Sequence, residues 1–370
     1  MHVVHLTSAH PRYDTRVFVK QCRSLAAQGY KVTLVVADGK GSEQREGVNI
    51  VDVGRPRGRL DRMLDSTRRV FMTALALDAR IYHLHDPELI PYGLRLKRGG
   101  KTVIFDAHED LPKQLLGKPY LGPVSARALS GVLAAYEAFA SRRFDGVVAA
   151  TPSIRDKFLA LKCRSIDVNN FPIAGELGSP AGDNENTGGG GRQVCYVGGL
   201  TEVRGAREMV AAAALLGTDT SIDLVGAFNP PLLGEELRRH AGWARIREHG
   251  YLDRSGVARV MQQSMAGLVT LLPAPNHLDS QPNKMFEYMS AGLPVIASDF
   301  PLWRSIIEDN ACGICVDPAK PQQIADAIDF LVTNPAVARH LGDNGRELVH
   351  TRYNWRNEEK KLVEFYAEFA

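Results

Sequence analysis

Short β-branched apolar runs alternate with amphipathic stretches along almost the whole chain, and this alternation breaks once and then begins again. In the first half the runs are Val3 to Leu6, Val32 to Val36, Ile50 to Val53, Ile81 to Leu84, Val103 to Phe105 and Val147 to Ala150. Each has the length and residue types of a strand. Between them Val17, Val19, Cys22, Leu25 and Ala26 recur at helical spacing up to Gly29, and residues 132–144 read as a second clear helix. Parallel neighbours need a crossover, normally a helix, so the pattern predicts a parallel sheet covered on both faces.

The break runs from Ala174 to Arg192 and ends in four glycines, Gly188 to Gly191. No core forms from such a composition, and the segment reads as a linker or a disordered insertion beside one. Strands then resume at Val194 to Val197, Ile222 to Val225, Gly267 to Leu272, Pro294 to Ala297 and Gly313 to Val316, with helical stretches between them. A last amphipathic helix spans 355–369. With 370 residues, each half is long enough to bury its own core. The expected architecture is α/β: a first domain at 1–170, a Gly-rich linker at 171–192, a second domain at 193–352, and a C-terminal helix at about 355–370 that crosses back to the first. Ligands of such folds bind beyond the carboxyl ends of the strands, which predicts a site in a cleft between the domains.

Composition excludes several classes. Hydrophobic residues make up 44% and charged residues 24%, as in soluble globular proteins rather than disordered or membrane chains. No apolar run is long enough for a spanning helix, and the N-terminus lacks the basic region of a secretory signal, so a cytoplasmic location is expected. Five scattered cysteines are too few for a disulfide framework and are expected to be free thiols. Cys312 and Cys315 have redox or half-zinc spacing, but no second pair accompanies them, and they read as buried thiols.

The net charge of +3 conceals an asymmetry. Residues 1–170 hold 27 Lys and Arg against 17 Asp and Glu, and the remainder 18 against 25, so the halves carry +10 and −7. Much of the excess sits in Arg55, Arg57, Arg59, Arg62, Arg68 and Arg69, interleaved with Leu60, Met63, Leu64, Val70 and Phe71. This basic amphipathic pattern has two readings, a solvated surface helix or a segment lying on anionic lipid headgroups. Nucleic acid is not expected, because stacking aromatics and a reader motif are missing.

Chemistry-bearing residues concentrate after strands. Gly198 and Gly199 follow the first strand of the second half; they read either as a tight turn or as a point where backbone approaches a ligand, with Arg204 adding charge. Farther on, Pro282 suits a helix start and Gly292 its end. Lys284 then lies in the first turn, where a cation opposes the helix dipole unless an anion binds beside it. Glu287, three residues on, shares its face and could accept hydrogen bonds from two sugar hydroxyls. In the first half His108, within Asp106-Ala107-His108-Glu109-Asp110, follows a strand and is a candidate cleft-facing functional residue, or alternatively a hydrogen-bonded structural group. The three acids around it are expected to hold the imidazole protonated or oriented. His10 lies on the loop after the first strand, and His85-Asp86-Pro87-Glu88 reads equally as a cluster or as a turn opening a helix. No Asp-x-Asp occurs, which argues against a metal–diphosphate site, and no Gly-x-Gly-x-x-Gly or Gly-x-Ser-x-Gly motif is present.

The segment Asn283-Lys284-Met285-Phe286-Glu287-Tyr288-Met289-Ser290-Ala291-Gly292-Leu293-Pro294-Val295-Ile296 resembles the nucleotide-binding half of the family 4 retaining glycosyltransferases of bacterial cell-surface polysaccharide type. Gly198-Gly199-Leu200, Arg204-Gly205, Gly250-Tyr251-Leu252 and the region His5 to Gly29 extend the resemblance over nearly the whole chain. It implies the GT-B fold of two Rossmann-like domains. It further implies that Glu287 contacts the nucleotide ribose, Lys284 and Arg204 the donor diphosphate, the backbone at Tyr251-Leu252 the base, and His108 and Asp279 the donor sugar, with His10 on the acceptor side. Asp279 stands where the family has Glu, and Gly199 where many relatives carry Arg. The implied reaction is transfer from a nucleotide-diphosphate sugar, first a UDP-sugar, to a lipid-linked or polysaccharide acceptor. No metal or other cofactor is expected, and attachment would be peripheral, on an anionic inner-membrane surface. The rivals are a sugar-nucleotide epimerase or phosphorylase on a similar scaffold, and a non-catalytic nucleotide-binding adaptor.

Overall fold

The computed structural model describes residues 1–117, 121–175 and 192–369. The chain divides into two compact units, one formed by Met1–Asn170 with Trp355–Ala370 and the other by Phe171–Asn354. The Gly-rich stretch 176–191 lies outside the described residues. Phe171 packs on Phe286 and Tyr353 in the core of the second unit.

The first unit is built on strands β1 (His2–Leu6), β2 (Lys31–Val36), β3 (Glu43–Arg45), β4 (Val48–Asp52), β5 (Ile81–Leu84), β6 (Thr102–Ala107), β7 (Gly146–Ala149) and β8 (Ser165–Asp167). They form one sheet in the order β3-β4-β2-β1-β5-β6-β7-β8, parallel except for the β3 edge. The order reverses direction at β1, the switch point where folds of this kind bind ligands. The central strands are buried on both faces, which is why their sequences read as continuous apolar runs. Sequence periodicity misses β3 and β8, which are three residues long and lie at the sheet edges.

The second unit repeats the design with β9 (Gln193–Val197), β10 (Ser221–Val225), β11 (Ile246–Gly250), β12 (Gly267–Val269), β13 (Val295–Ser298) and β14 (Gly313–Val316), in the all-parallel order β11-β10-β9-β12-β13-β14. Its switch point is β9. The edge strand β11, Ile-Arg-Glu-His-Gly, needs no apolar faces and so carries no hydrophobic signal. The two parallel-sheet domains expected from the alternation are therefore present, and helix Trp355–Ala367 belongs to the first unit, where the Trp355 indole donates to the Ser24 hydroxyl.

One helix departs from its expected form. Thr15–Cys22 is π-helical before it continues as the α-helix Arg23–Ala27. Asp14 caps it, its carboxylate accepting from the Arg16 and Val17 backbone amides, and the Val19 amide reaches back five residues to the Asp14 carbonyl. This i→i+5 bonding aligns residues five apart, so Arg16 and Gln21 share one buried face.

The basic segment forms the consecutive helical pieces Arg59–Asp61, Arg62–Ser66 and Thr67–Ala76. Val70, Phe71 and Ala74 enter the core, while Leu60 and Leu64 remain 76% and 69% exposed, with Met63, Met72 and Leu75 exposed beside them. Among the described residues no helix is long and apolar enough to cross a membrane. All five cysteines are free; Cys312 is buried and Cys315 only half-buried, so the expectation of two buried thiols holds in full for the first alone.

Candidate functional site

In the second unit, chain geometry explains why β9 must be followed by glycines. Gly198 has φ +132°, and a Cβ there would lie 2.9 Å from the Lys284 ammonium. Gly205, at φ +76°, passes so close to the Thr270 carbonyl that a Cβ would sit 2.1 Å from its oxygen. The loop 198–205 is thereby drawn down against helix Asn283–Ser290 and the end of β12. Helix Asn283–Ser290 follows Pro282 and ends at Gly292, φ +75°, as the sequence predicts.

Lys284 Nζ is buried and has no hydrogen-bond partner among the described residues. It lies 3.6 Å from the centroid of the Tyr196 ring, and burial, then the neighbouring Arg204 charge, pull its pKa well below the ordinary lysine range. A buried ammonium without a partner is costly in a folded protein. Arg204, exposed, reaches the Gly199 carbonyl at 3.3 Å, and the Tyr196 hydroxyl donates to the same oxygen at 2.9 Å. Two cations thus flank a glycine turn, and neither forms an ion pair with a carboxylate among the described contacts.

Glu287 projects from the same helix, and its Oε1 accepts from Arg254 Nη1 at 2.8 Å. Arg254 opens the helix that follows Asp253, whose carboxylate accepts from the Gly256 amide. Sequence reasoning missed this arginine, since nothing in the spacing from 254 to 287 links the two. Tyr251 is 89% exposed directly after β11, and Leu252 is half-buried. Asp279 stands exposed on the loop before Pro282.

In the first unit the loops after β1, β5 and β6 converge. Asp86 Oδ2 accepts from Thr7 Oγ1 at 2.9 Å and from the Ser8 and Ala9 amides at 2.5 and 3.1 Å, which pins the loop that carries His10. His10 spans Asp14 and Asp86, each at 3.4 Å, and its ring lies 4.6 Å from that of His108. Burial opposes its charge, but the Asp14 hydrogen bond and the Asp86, Asp14 and Asp106 charges raise its pKa overall. The expectation that three acids surround His108 is corrected: Asp106 alone of the three contacts it, at 3.2 Å, whereas Glu109 accepts from Gln114 and Asp110 pairs with Lys157 and Lys113. The side chains simply diverge around the end of β6. Glu88, in the first turn after Pro87, pairs with Arg62.

Asp106 is the hub of a buried polar cluster that sequence reasoning did not assemble. Its Oδ1 accepts from Arg16 Nη2 at 2.6 Å, and its Oδ2 from Gln21 Nε2 at 2.7 Å, Arg16 Nε at 3.1 Å, His85 at 3.1 Å and His108 at 3.2 Å. Burial pushes this carboxyl up, but Arg16 and His108 outweigh it and hold it well below the carboxylate range. Behind His85 lie His5, His83 and Tyr366, all fully buried. The one sequence signal for them is histidine inside strands that are otherwise apolar.

By distance, His5, His83 and His85, or His85, Asp106 and His108, could hold a metal ion. The His5 and His85 rings, however, meet at 2.8 Å with centroids 5.1 Å apart and planes only 16° from parallel. Each nitrogen is thus aimed along the other ring's plane, an in-line hydrogen bond rather than a convergence on a third point. In the second set Asp106 Oδ2 is already crowded by Gln21 and Arg16.

Comparison with known proteins agrees with this architecture. Residues 15–172 match the family model "Glycosyl transferase 4-like domain" and residues 191–334 the model "Glycosyl transferases group 1". The α-D-kanosaminyltransferase of Streptomyces kanamyceticus is 27% identical over 186 residues, 48% of this chain and 46% of that protein. The chain thus spans about half the length of the curated relatives it matches. Sucrose-phosphate synthase from Thermosynechococcus elongatus superposes over 100% of this chain and 98% of its own with TM-score 0.80 and 18% identity. Anabaena HepE in complex with UDP and glucose does so over 100% of both chains with TM-score 0.73 and 14% identity. The chain belongs to the family 4 glycosyltransferases and has their GT-B fold.

Proposed function

We propose that this protein is a retaining glycosyltransferase that moves a hexosyl or N-acetylhexosaminyl group from a UDP-sugar to a lipid-linked or polysaccharide acceptor in cell-surface glycan assembly. One observation carries the reading: the buried Lys284 ammonium has no hydrogen-bond partner among the described residues and stands with Arg204 at a glycine turn. A diphosphate at that point supplies the missing counter-charge. Uridine as the base is favoured by HepE, a structural relative whose complex holds UDP.

In this reading the acceptor hydroxyl oxygen bonds to the anomeric carbon as the bond to the β-phosphate oxygen breaks, on the same face. The departing phosphate takes the hydroxyl proton, leaving a nucleoside diphosphate and a glycoside of unchanged configuration. Negative charge grows on the leaving oxygens, and Lys284 and Arg204 stabilise it more than the ground state. These cations do the work of a metal, so chelator leaves turnover unchanged. Glu287 accepts from the ribose hydroxyls, the backbone at Tyr251 and Leu252 meets the base with Gly198 and Gly199 beside the phosphates, and His108 and Asp279 orient the sugar, with His10 toward the acceptor.

The helical segment 59–76 is assigned to an anionic bilayer at the inner face of the membrane. Support comes from Leu60 and Leu64 standing exposed among Arg57, Arg59 and Arg68, since each basic residue near such a surface contributes about 1 kcal/mol. Transfer of label from a panel of nucleotide sugars to a membrane extract tests the activity. Lys284→Ala and Glu287→Ala should each lower it by orders of magnitude while the proteins stay folded, and full activity in both would refute the site. Flotation with liposomes containing anionic lipid, but not with neutral ones, tests the membrane assignment.

A further inference from the structure

The cluster of His108, His85, His5, His83 and Tyr366 holds five ionisable rings around the carboxylate of Asp106, and the proposed chemistry uses only its outermost member, His108. With Asp106 ionised, the cluster's hydrogen bonds can be satisfied in one order along the string. Ionised Asp106 only accepts, so His85 Nδ1 and His108 Nε2, themselves 3.4 Å apart, both direct protons at Oδ2, at 3.1 and 3.2 Å, since a bare nitrogen there would face the carboxylate lone pairs. Burial holds His85 and, more strongly, His5 and His83 in the neutral form. A neutral His85 with its proton on Nδ1 has a bare Nε2, so His5 Nδ1 must donate to it across 2.8 Å. His5 Nε2 is then bare and takes the Tyr366 hydroxyl proton at 3.5 Å, while His83 Nδ1 donates to the Tyr366 oxygen at 2.6 Å. Reversing the tyrosine proton would leave two ring nitrogens unsatisfied; this direction leaves only the His83 Nε2 lone pair, which has no partner. Every donor in the string therefore points toward Asp106.

We propose that Asp106 is a positioning residue for His108: with the string His83, Tyr366, His5 and His85 directed onto it, it holds His108 with its proton on Nε2, so that Nδ1 is presented as an acceptor for a hydroxyl of the transferred sugar. The proposal rests on the reading of His108 as a sugar-facing residue. The ring is anchored on the Asp106 side and has 20% of its side chain exposed, and the described residues offer its Nδ1 no partner. A flipped tautomer would present an N–H there and repel the same hydroxyl proton. The π-helical turn contributes as well, since Arg16 and Gln21, five residues apart, both donate to Asp106 and keep it ionised and fixed.

The test is a long-range proton–nitrogen correlation spectrum of the full chain labelled at histidine, with His108 assigned by its loss in His108→Gln. The proton is expected on Nε2 with Nδ1 bare; a proton on Nδ1, an even mixture of the two forms, or protons on both nitrogens overturns the proposal. Asp106→Asn, whose amide donates where the carboxylate accepted, should lose the fixed tautomer and about 10- to 100-fold in kcat, the size of one polar group left unsatisfied, with donor KM little changed. Unchanged turnover in a folded Asp106→Asn overturns the proposal. Should that variant not fold, His108→Ala carries the kinetic arm: it removes both ring nitrogens and leaves no acceptor in place of Nδ1, and full activity in it is equally fatal. Because the spectrum is read without turnover, a proton on Nδ1 overturns the proposal even where transfer is observed, and a proton on Nε2 alone supports it even where none is.

Discussion

Replacing Lys284 by Met should make the protein more stable and a poorer binder of its donor. Methionine keeps most of the aliphatic stem that packs near Tyr196 and removes a buried ammonium that has no hydrogen-bond partner. Leaving one buried polar group unsatisfied costs about 1–3 kcal/mol, more if it is charged. In a unit of this size 1 kcal/mol moves the midpoint by roughly 2–4 °C, so Lys284→Met should melt about 2–12 °C higher without ligand. The advantage depends on pH with a definite sign. Burial and Arg204 depress the folded-state pKa below the unfolded value, so the unfolded chain binds more protons between the two, and wild-type stability rises with pH through that window. The gain from methionine is therefore largest at low pH and shrinks toward pH 10.5, the ordinary lysine value. Ligand reverses the ranking, because a diphosphate placed beside the amine supplies the missing charge. Removing one member of such a pair costs about 2–5 kcal/mol, or roughly 30- to 4,000-fold in affinity. Thermal melts of both proteins, with and without UDP and across pH, measure all three effects. A variant that melts lower than wild type without ligand, or that UDP stabilises as much, would show that the ammonium is not an unpaired anion receptor.

Other consequences are more local. Calorimetry of UDP binding in buffers of different ionisation enthalpy should show proton uptake, since an anion beside Lys284 raises its depressed pKa. Gly205→Ala should lose about 1–3 kcal/mol, from φ +76° and a Cβ 2.1 Å from the Thr270 carbonyl oxygen, and denaturant titration reads it. His10, whose pKa is raised, contributes stability that is fully present below its unfolded value of 6.5 and is lost as pH rises through the folded value. His10→Gln should abolish that slope in melts between pH 5 and pH 8, a range of about one and a half units on either side of a free histidine. Tyr366→Phe should cost about 1–3 kcal/mol by leaving His83 Nδ1 and His5 Nε2 unpaired, and an unchanged melting point would deny the string its tyrosine.

What could be read from residues alone was whatever depends on neighbours along the chain. Strands buried on both faces announce themselves as apolar runs, so both sheets were legible, except at edges such as Glu43–Arg45 and Ile246–Gly250 where one side needs no burial. The anomaly at Lys284 was legible too, because a cation in a helix's first turn conflicts with the dipole of that same helix. The Asp106 cluster was not, and the reason is geometric. His5, Arg16, His85, His108 and Tyr366 come from five places in the chain, brought together by sheet register, by a helix returning from residue 355, and by a π-helical turn that sets Arg16 beside Gln21 where α-helical spacing would part them. Arg254 reaches Glu287 in the same way, across a fold rather than along a motif. Sequence by itself determined which elements form and which residues sit at their ends. Only tertiary structure decided which of those ends share a proton or a charge, because hydrogen bonds and ion pairs act over a few ångströms of space and take no account of separation along the chain.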